Sequence, residues 1–193
     1  RSREAVSIAA LHCLAVVAGA DRALRYTTVP GAEDALRALV YEAAHTAPGV
    51  ATPAEVFLKL LQRAGDSFLP LRVAVYRLLA ALCRRQWAAY EVTAHAPLLE
   101  HLLDPTSEST NEGRDGVYAV MCALASAVEV HCDTVMTDGP VDAGAANGGG
   151  QGTHRGALDA AKDQILAAKR AGPYGIRVGA AQPAPQVATM DSV

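Results

Sequence analysis

Between Pro70 and Asp104 the chain carries two helical stripes that cannot cover themselves, and this stretch constrains the fold more than any other. Leu71, Val75, Leu78, Leu79 and Leu82 recur at the spacing of a helix buried along one side. Pro70 suits a first helical turn, where its missing N–H is not needed. A second apolar helix opens at Pro97 with Leu98, Leu99, Leu102 and Leu103, leaving Glu100, His101 and Asp104 off the stripe. Trp87 falls in a short segment between them. Two helices joined this closely expose more apolar surface than they bury against each other, so similar units are expected to stack on both sides.

Stacked units should leave a period in the sequence, and one is present. Val75-Tyr76-Arg77-Leu78-Leu79-Ala80-Ala81-Leu82 aligns with Val117-Tyr118-Ala119-Val120-Met121-Cys122-Ala123-Leu124 at a shift of 42 residues, and the same shift lays Phe57–Leu61 on Leu99–Leu103. That period falls within the range of HEAT and armadillo repeats. The expected fold is therefore all-α, a HEAT/armadillo-like α-solenoid.

Composition fits a chain of this kind. With 51% hydrophobic residues but only 5% aromatics, the core must be built from Ala, Leu and Val, a helix-former's set. A net charge of −3 offers no global basic surface, which argues against nucleic acid as the principal partner. No uncharged apolar run is long enough to span a bilayer, so no membrane partner is expected. The opening segment, Arg1 to Ala20, reads as a helix already within a stack, without a charged leader and a small-residue cleavage site, and suggests the C-terminal part of a longer protein.

Along the chain, Val6, Ala10, Cys13, Leu14 and Val17 mark the expected buried stripe of a first helix ending near Gly19. Leu36, Leu39, Val40 and Ala43 mark a second, at about 33–46. Thr52, Pro53 and Glu55 form a capping box for a third, whose stripe is Phe57, Leu60, Leu61 and Ala64 and which Gly65 closes. Pro105 to Gly113 reads as a solvated polar loop, and Val117, Val120, Met121, Leu124 and Val128 place a helix at about 114–130. The expected organisation is helical repeats over 1–137, a Gly-rich insertion over 138–156 that is too poor in bulky apolar residues to order itself, a terminal helix over 157–171, and an extended Pro- and Gly-containing tail over 172–193.

The search for chemistry is negative. The chain has no G-x-S-x-G elbow, H-E-x-x-H pair, kinase signature or phosphate-binding glycine loop. Glu108 and Glu112 could face each other, but a polar loop holds acid–base geometry poorly. Cys13, Cys83, Cys122 and Cys132 are widely spaced, three of them within expected apolar helices, and free buried thiols fit a reducing compartment. The pairs His12-Cys13 and His131-Cys132 lack a second zinc-spaced pair, and adjacent helical residues point about 100° apart. No catalytic residue, metal site or cofactor is expected.

The order of features also resembles the C-terminal region of the 26S proteasome non-ATPase regulatory subunit 5 family. The residues that carry this resemblance are RRQWAAYEV (84–92), PLLEHLLD (97–104), GRDGVYAVMCAL (113–124), and a terminal helix running into Gly172-Pro173-Tyr174 and a Val- and Pro-containing tail. It covers roughly 66–133 and 157–187; the glycine stretch at 138–156 and the pair Gly175-Ile176 depart from it. The resemblance implies an assembly chaperone of the proteasome regulatory-particle base, monomeric apart from its partner and placed in the cytoplasm or nucleus. Its curved surface would hold the C-terminal domain of one ATPase subunit. The second helix of each repeat usually lines such a curve, which nominates Lys59, Gln62 and Arg63, and one repeat on Glu100, His101 and Asp104, with Tyr174 as a further contact. The alternatives are another scaffold or transport adaptor of the same architecture, or the scaffold part of an enzyme whose catalytic region lies elsewhere.

Overall fold

The computed structural model of the chain describes residues 2–20, 22, 30–64, 68–137 and 151–175, with side chains described except at 2–3, 30, 63–64, 131–137 and 151–155. Within them every regular element is a helix: α1 (Ser2–Val17), α2 (Pro30–Thr46), α3 (Pro53–Ala64), α4 (Leu69–Leu82), α5 (Gln86–Ala94), α6 (Ala96–Leu103), α7 (Asn111–Thr137) and α8 (Gln151–Ala171). Most of the glycine-rich stretch, the tail beyond Gly175, and Gly65 as the stop of α3 lie outside the described residues.

Helix α4 is the centre of the packing. Its predicted stripe, Leu71, Val75, Leu78, Leu79 and Leu82, is buried, and so are Ala74, Tyr76, Ala81 and Cys83 on its other sides. The cause is that α1, α3 and α7 all pack on it, and a helix covered on three sides needs an apolar surface wider than one stripe. Burial without a charged neighbour pushes the Cys83 thiol up to about 12, so it stays protonated and serves as packing.

Four of the helices make contacts in step with the sequence period. α3 packs on α4 and α6 packs on α7; α3 also touches α6, and α4 touches α7. The first residues of α4 and α7, Leu69 and Asn111, stand at the spacing the internal alignment predicts. Beyond the second pair, α8 lies against α7 and α5, burying Leu158, Ala161 and Ile165. The short segment that holds Trp87 is a helix of its own, α5.

Each helix end has a local cause. Gly19, at φ 91°, closes α1: its N–H bonds the Val16 carbonyl at 2.9 Å and that of Ala20 bonds Ala15 at 2.8 Å. This is the paired bonding that glycine permits at a helix end. The carbonyls just past α1 are taken by residues just past α4, with Arg85 Nη1 donating to Ala18 O at 2.8 Å and Arg84 Nη1 to Gly19 O at 3.2 Å. Thr52 Oγ1 accepts from the Glu55 N–H at 3.3 Å at the start of α3, while Glu55 Oε2 reaches the Ala51 N–H at 2.9 Å. The return bond of the expected capping box thus falls one residue earlier. Glu33 sits in the first turn of α2, and its carboxylate also accepts from Arg85 Nε at 3.0 Å and Trp87 Nε1 at 2.7 Å, which ties α2 to α5.

Several expectations need correction. The apolar stripe assigned to α1 faces out: Val6 is 65% exposed and Val17 69%, and Leu14 and Cys13 are exposed too. The face against α4 is Leu11, Ala15 and Ala18, where two alanines let the helix axes approach closely. In α2 the buried side turns to Leu36, Val40 and Ala44, leaving Leu39 and Ala43 outward. In α3 Leu58 is buried more fully than Leu60. Helices α7 and α8 are longer than expected, with α8 taking in residues 151–156; extending a packed helix costs little once it is nucleated.

Candidate functional site

The most unusual chemistry of the molecule lies between the start of α4 and the loop joining α6 to α7. Arg72 is 4% exposed and Glu108 2%, so the carboxylate expected to be solvated in a polar loop is instead buried. Its partner explains this. Arg72 Nε donates to Glu108 Oε1 at 2.8 Å and Nη2 to Oε2 at 3.1 Å, the two-pronged pairing that a guanidinium makes with a carboxylate. Tyr76, one turn further along α4, donates its hydroxyl to Oε1 at 2.8 Å.

That donation sets the next link. An ionised carboxylate only accepts, so the Tyr76 proton is committed to Glu108, and the phenolic oxygen must accept from His101 Nε2, 3.1 Å away. His101 therefore carries its proton on Nε2. Burial lowers the His101 pKa from its ordinary value, against the opposing pull of Glu108 and Asp104, and keeps the ring neutral at neutral pH. Burial, reinforced by the hydrogen bond to Glu108, raises that of Tyr76, so the phenol remains a donor.

The loop is shaped for this insertion. Asp104 Oδ1 accepts from Thr106 N at 2.8 Å and Thr106 Oγ1 at 2.7 Å, a turn that starts the loop. Those bonds hold Asp104 below the usual carboxylate range. Thr110 Oγ1 accepts from Gly113 N at 3.1 Å and caps α7. A Cβ on Gly113 would sit 2.3 Å from Glu108 Oε2, and one on Gly116 would press on Tyr76 at 3.0 Å. Glycine at these two positions lets the start of α7 pass this close to Glu108 and to Tyr76 of α4.

Of the nominated contact residues, the structure brings Glu100, His101 and Asp104 together at this end of α6. Glu100 and Asp104 are exposed, one turn apart, and His101 is half-buried behind them. Lys59 and Gln62 are exposed on α3, which touches α6. Lys59 is already engaged, pairing with Glu55 at 3.1 Å and bonding the Gly49 carbonyl. Arg63 lies in α3 with its side chain outside the described residues. Tyr174, 60% exposed, follows α8 at a distinct place, beside a groove. Sequence reasoning missed Arg72, Tyr76 and Glu108. Arg72 and Tyr76 are polar groups spaced i, i+4 along the apolar side of α4, which is a signal of a buried network; Glu108 has no local signal at all.

His12 and Cys13 diverge, the histidine half-buried with Nδ1 3.3 Å from Arg77 Nη1 and the thiol exposed. Among the described residues no helix is long and apolar enough to cross a membrane. Scans against protein-family models, curated proteins and solved structures each returned no match.

Proposed function

We propose that this chain is a solenoid-type assembly chaperone of the proteasome regulatory-particle base, holding the C-terminal domain of an ATPase subunit on the surface formed by α3 and α6. The single observation that supports it best is the stacking of α3 and α4 on α6 and α7 in step with the sequence period. Such stacking yields an extended polar face rather than a closed pocket. Gln62 on α3, and Glu100 and Asp104 at the end of α6, are exposed and charged or amide-bearing. They suit an interface that must later release its partner. The resemblance in residues 84–104 and 113–124 points to the same partner. On this reading the protein works without catalysis or cofactor, as a monomer in the cytoplasm or nucleus.

The test is co-purification with separately expressed ATPase subunits of the base. Recovery of one of them, lost in the Glu100→Arg/Asp104→Arg variant while the helical signal and melting point are kept, supports the proposal. Recovery of a transport cargo instead, or of no base subunit, removes it.

A further inference from the structure

A groove of about 230 Å³ opens between the α6–α7 loop, α7 and the C-terminal end of α8. Leu102 and Met121 are buried beneath it, and Leu103, Val117 and Ala168 are half-buried around it. One wall is formed by Gly172, Pro173 and Gly175, and its two glycines leave room for another backbone to approach closely. We infer that this groove takes an apolar side chain from a segment of the protein partner, with a neighbouring lysine or arginine of that segment pairing with Asp104 and Glu100. The inference rests on the proposed protein-binding role of this surface and assigns the partner's chemistry.

Charge decides the sign of the partner. Glu108 lines the groove, but its carboxylate is satisfied by Arg72 and Tyr76. Arg114, the cation of the lining, is half-buried and donates its Nε to the Glu108 carbonyl at 3.1 Å. Asp104 is exposed at the rim, and Thr106 occupies only its Oδ1. Glu100, one turn back on α6, is exposed as well. The lining thus turns one carboxylate, Asp104, to solvent, with Glu100 exposed one turn back along α6, while its guanidinium is sheltered, which favours a cation beside the apolar anchor.

Two fluorescein-labelled peptides with leucines at the same positions, one carrying lysines between them and the other glutamates, test this by anisotropy with the full chain. The lysine peptide is expected to bind about tenfold tighter or more, with affinity falling as salt rises. Glu100→Lys with Asp104→Lys should reverse the preference. Ala168→Phe, which fills the groove from α8, should weaken the lysine peptide about tenfold at an unchanged melting point. Equal binding of the two peptides, or no effect of Ala168→Phe in a folded protein, overturns the assignment. So does binding that appears only after residues 176–193 are deleted, which would make this chain's own segment the occupant. Base-subunit capture that survives Ala168→Phe, with no discrimination between the peptides, strikes the groove alone and leaves the surface reading standing.

Discussion

Replacing Glu108 with alanine should be among the most damaging single changes in the molecule. The carboxylate is exposed by only 2% and holds Arg72, itself 4% exposed, through two bonds. Its removal takes the carboxylate from a buried guanidinium, and breaking a buried pair in this way costs about 3–5 kcal/mol. Tyr76 loses its acceptor as well, adding about 1 kcal/mol. Against a total stability of about 5–15 kcal/mol this is a large fraction. At roughly 2–4 °C per kcal/mol for a chain of this size the melting point should fall by about 10 °C or more. Urea denaturation followed by circular dichroism measures it. The double variant Arg72→Met/Glu108→Leu removes both charges and should recover most of the loss, because an apolar pair of similar volume needs no desolvated partner. A loss under about 1 kcal/mol for Glu108→Ala, or a double variant worse than the two single changes together, would refute this account of the buried pair.

Other outcomes follow from the same geometry. Gly113→Ala places a methyl against Glu108 Oε2 and should cost about 2 kcal/mol or more by thermal melt, whereas an unchanged melt would mean the loop yields freely. Leu79→Asp buries an unpaired charge at the centre of α4 and should cost more than about 4 kcal/mol in a denaturant titration. Val17→Ser on the exposed side of α1 should stay within about 0.5 kcal/mol of the parent, while Ala15→Asp on the packed side should destabilise strongly; the reverse order would restore the other face. His101 has a folded pKa below its unfolded value, so the unfolded chain binds the extra proton first as pH falls. Its contribution to stability is complete above about pH 6.5 and is lost as pH falls through the lowered folded value. His101→Gln should flatten the stability profile in that acid limb, measured by melting between neutral and mildly acidic buffer.

What the sequence revealed and what it hid divide along physical lines. The stripe of α4, the period relating α4 to α7, and the glycine ending α1 were legible because each is a local pattern with one structural solution. The packed face of α1 was not, because that helix carries two apolar faces. Val6, Leu14 and Val17 are bulkier, but Ala15 and Ala18 fit closely beneath α4, and only the neighbour decides. Glu108 illustrates the other limit. A glutamate among Ser, Thr and Asn reads as solvated, and its burial depends on an arginine in a distant helix and on a glycine, Gly113, that clears the way. In the candidate site, the clustering of Glu100, His101 and Asp104 was readable from helical spacing. The network behind His101 required three-dimensional contact.

The central claim, that stacked helical pairs offer the α3–α6 face to another protein, is tested most directly by isothermal titration of the full chain with the isolated C-terminal domain of each base ATPase subunit. The account predicts saturable binding of one domain, abolished by Glu100→Arg/Asp104→Arg in a protein that melts as the parent does. Heat of binding from none of the domains, or undiminished binding by the charge-reversed variant, would contradict it.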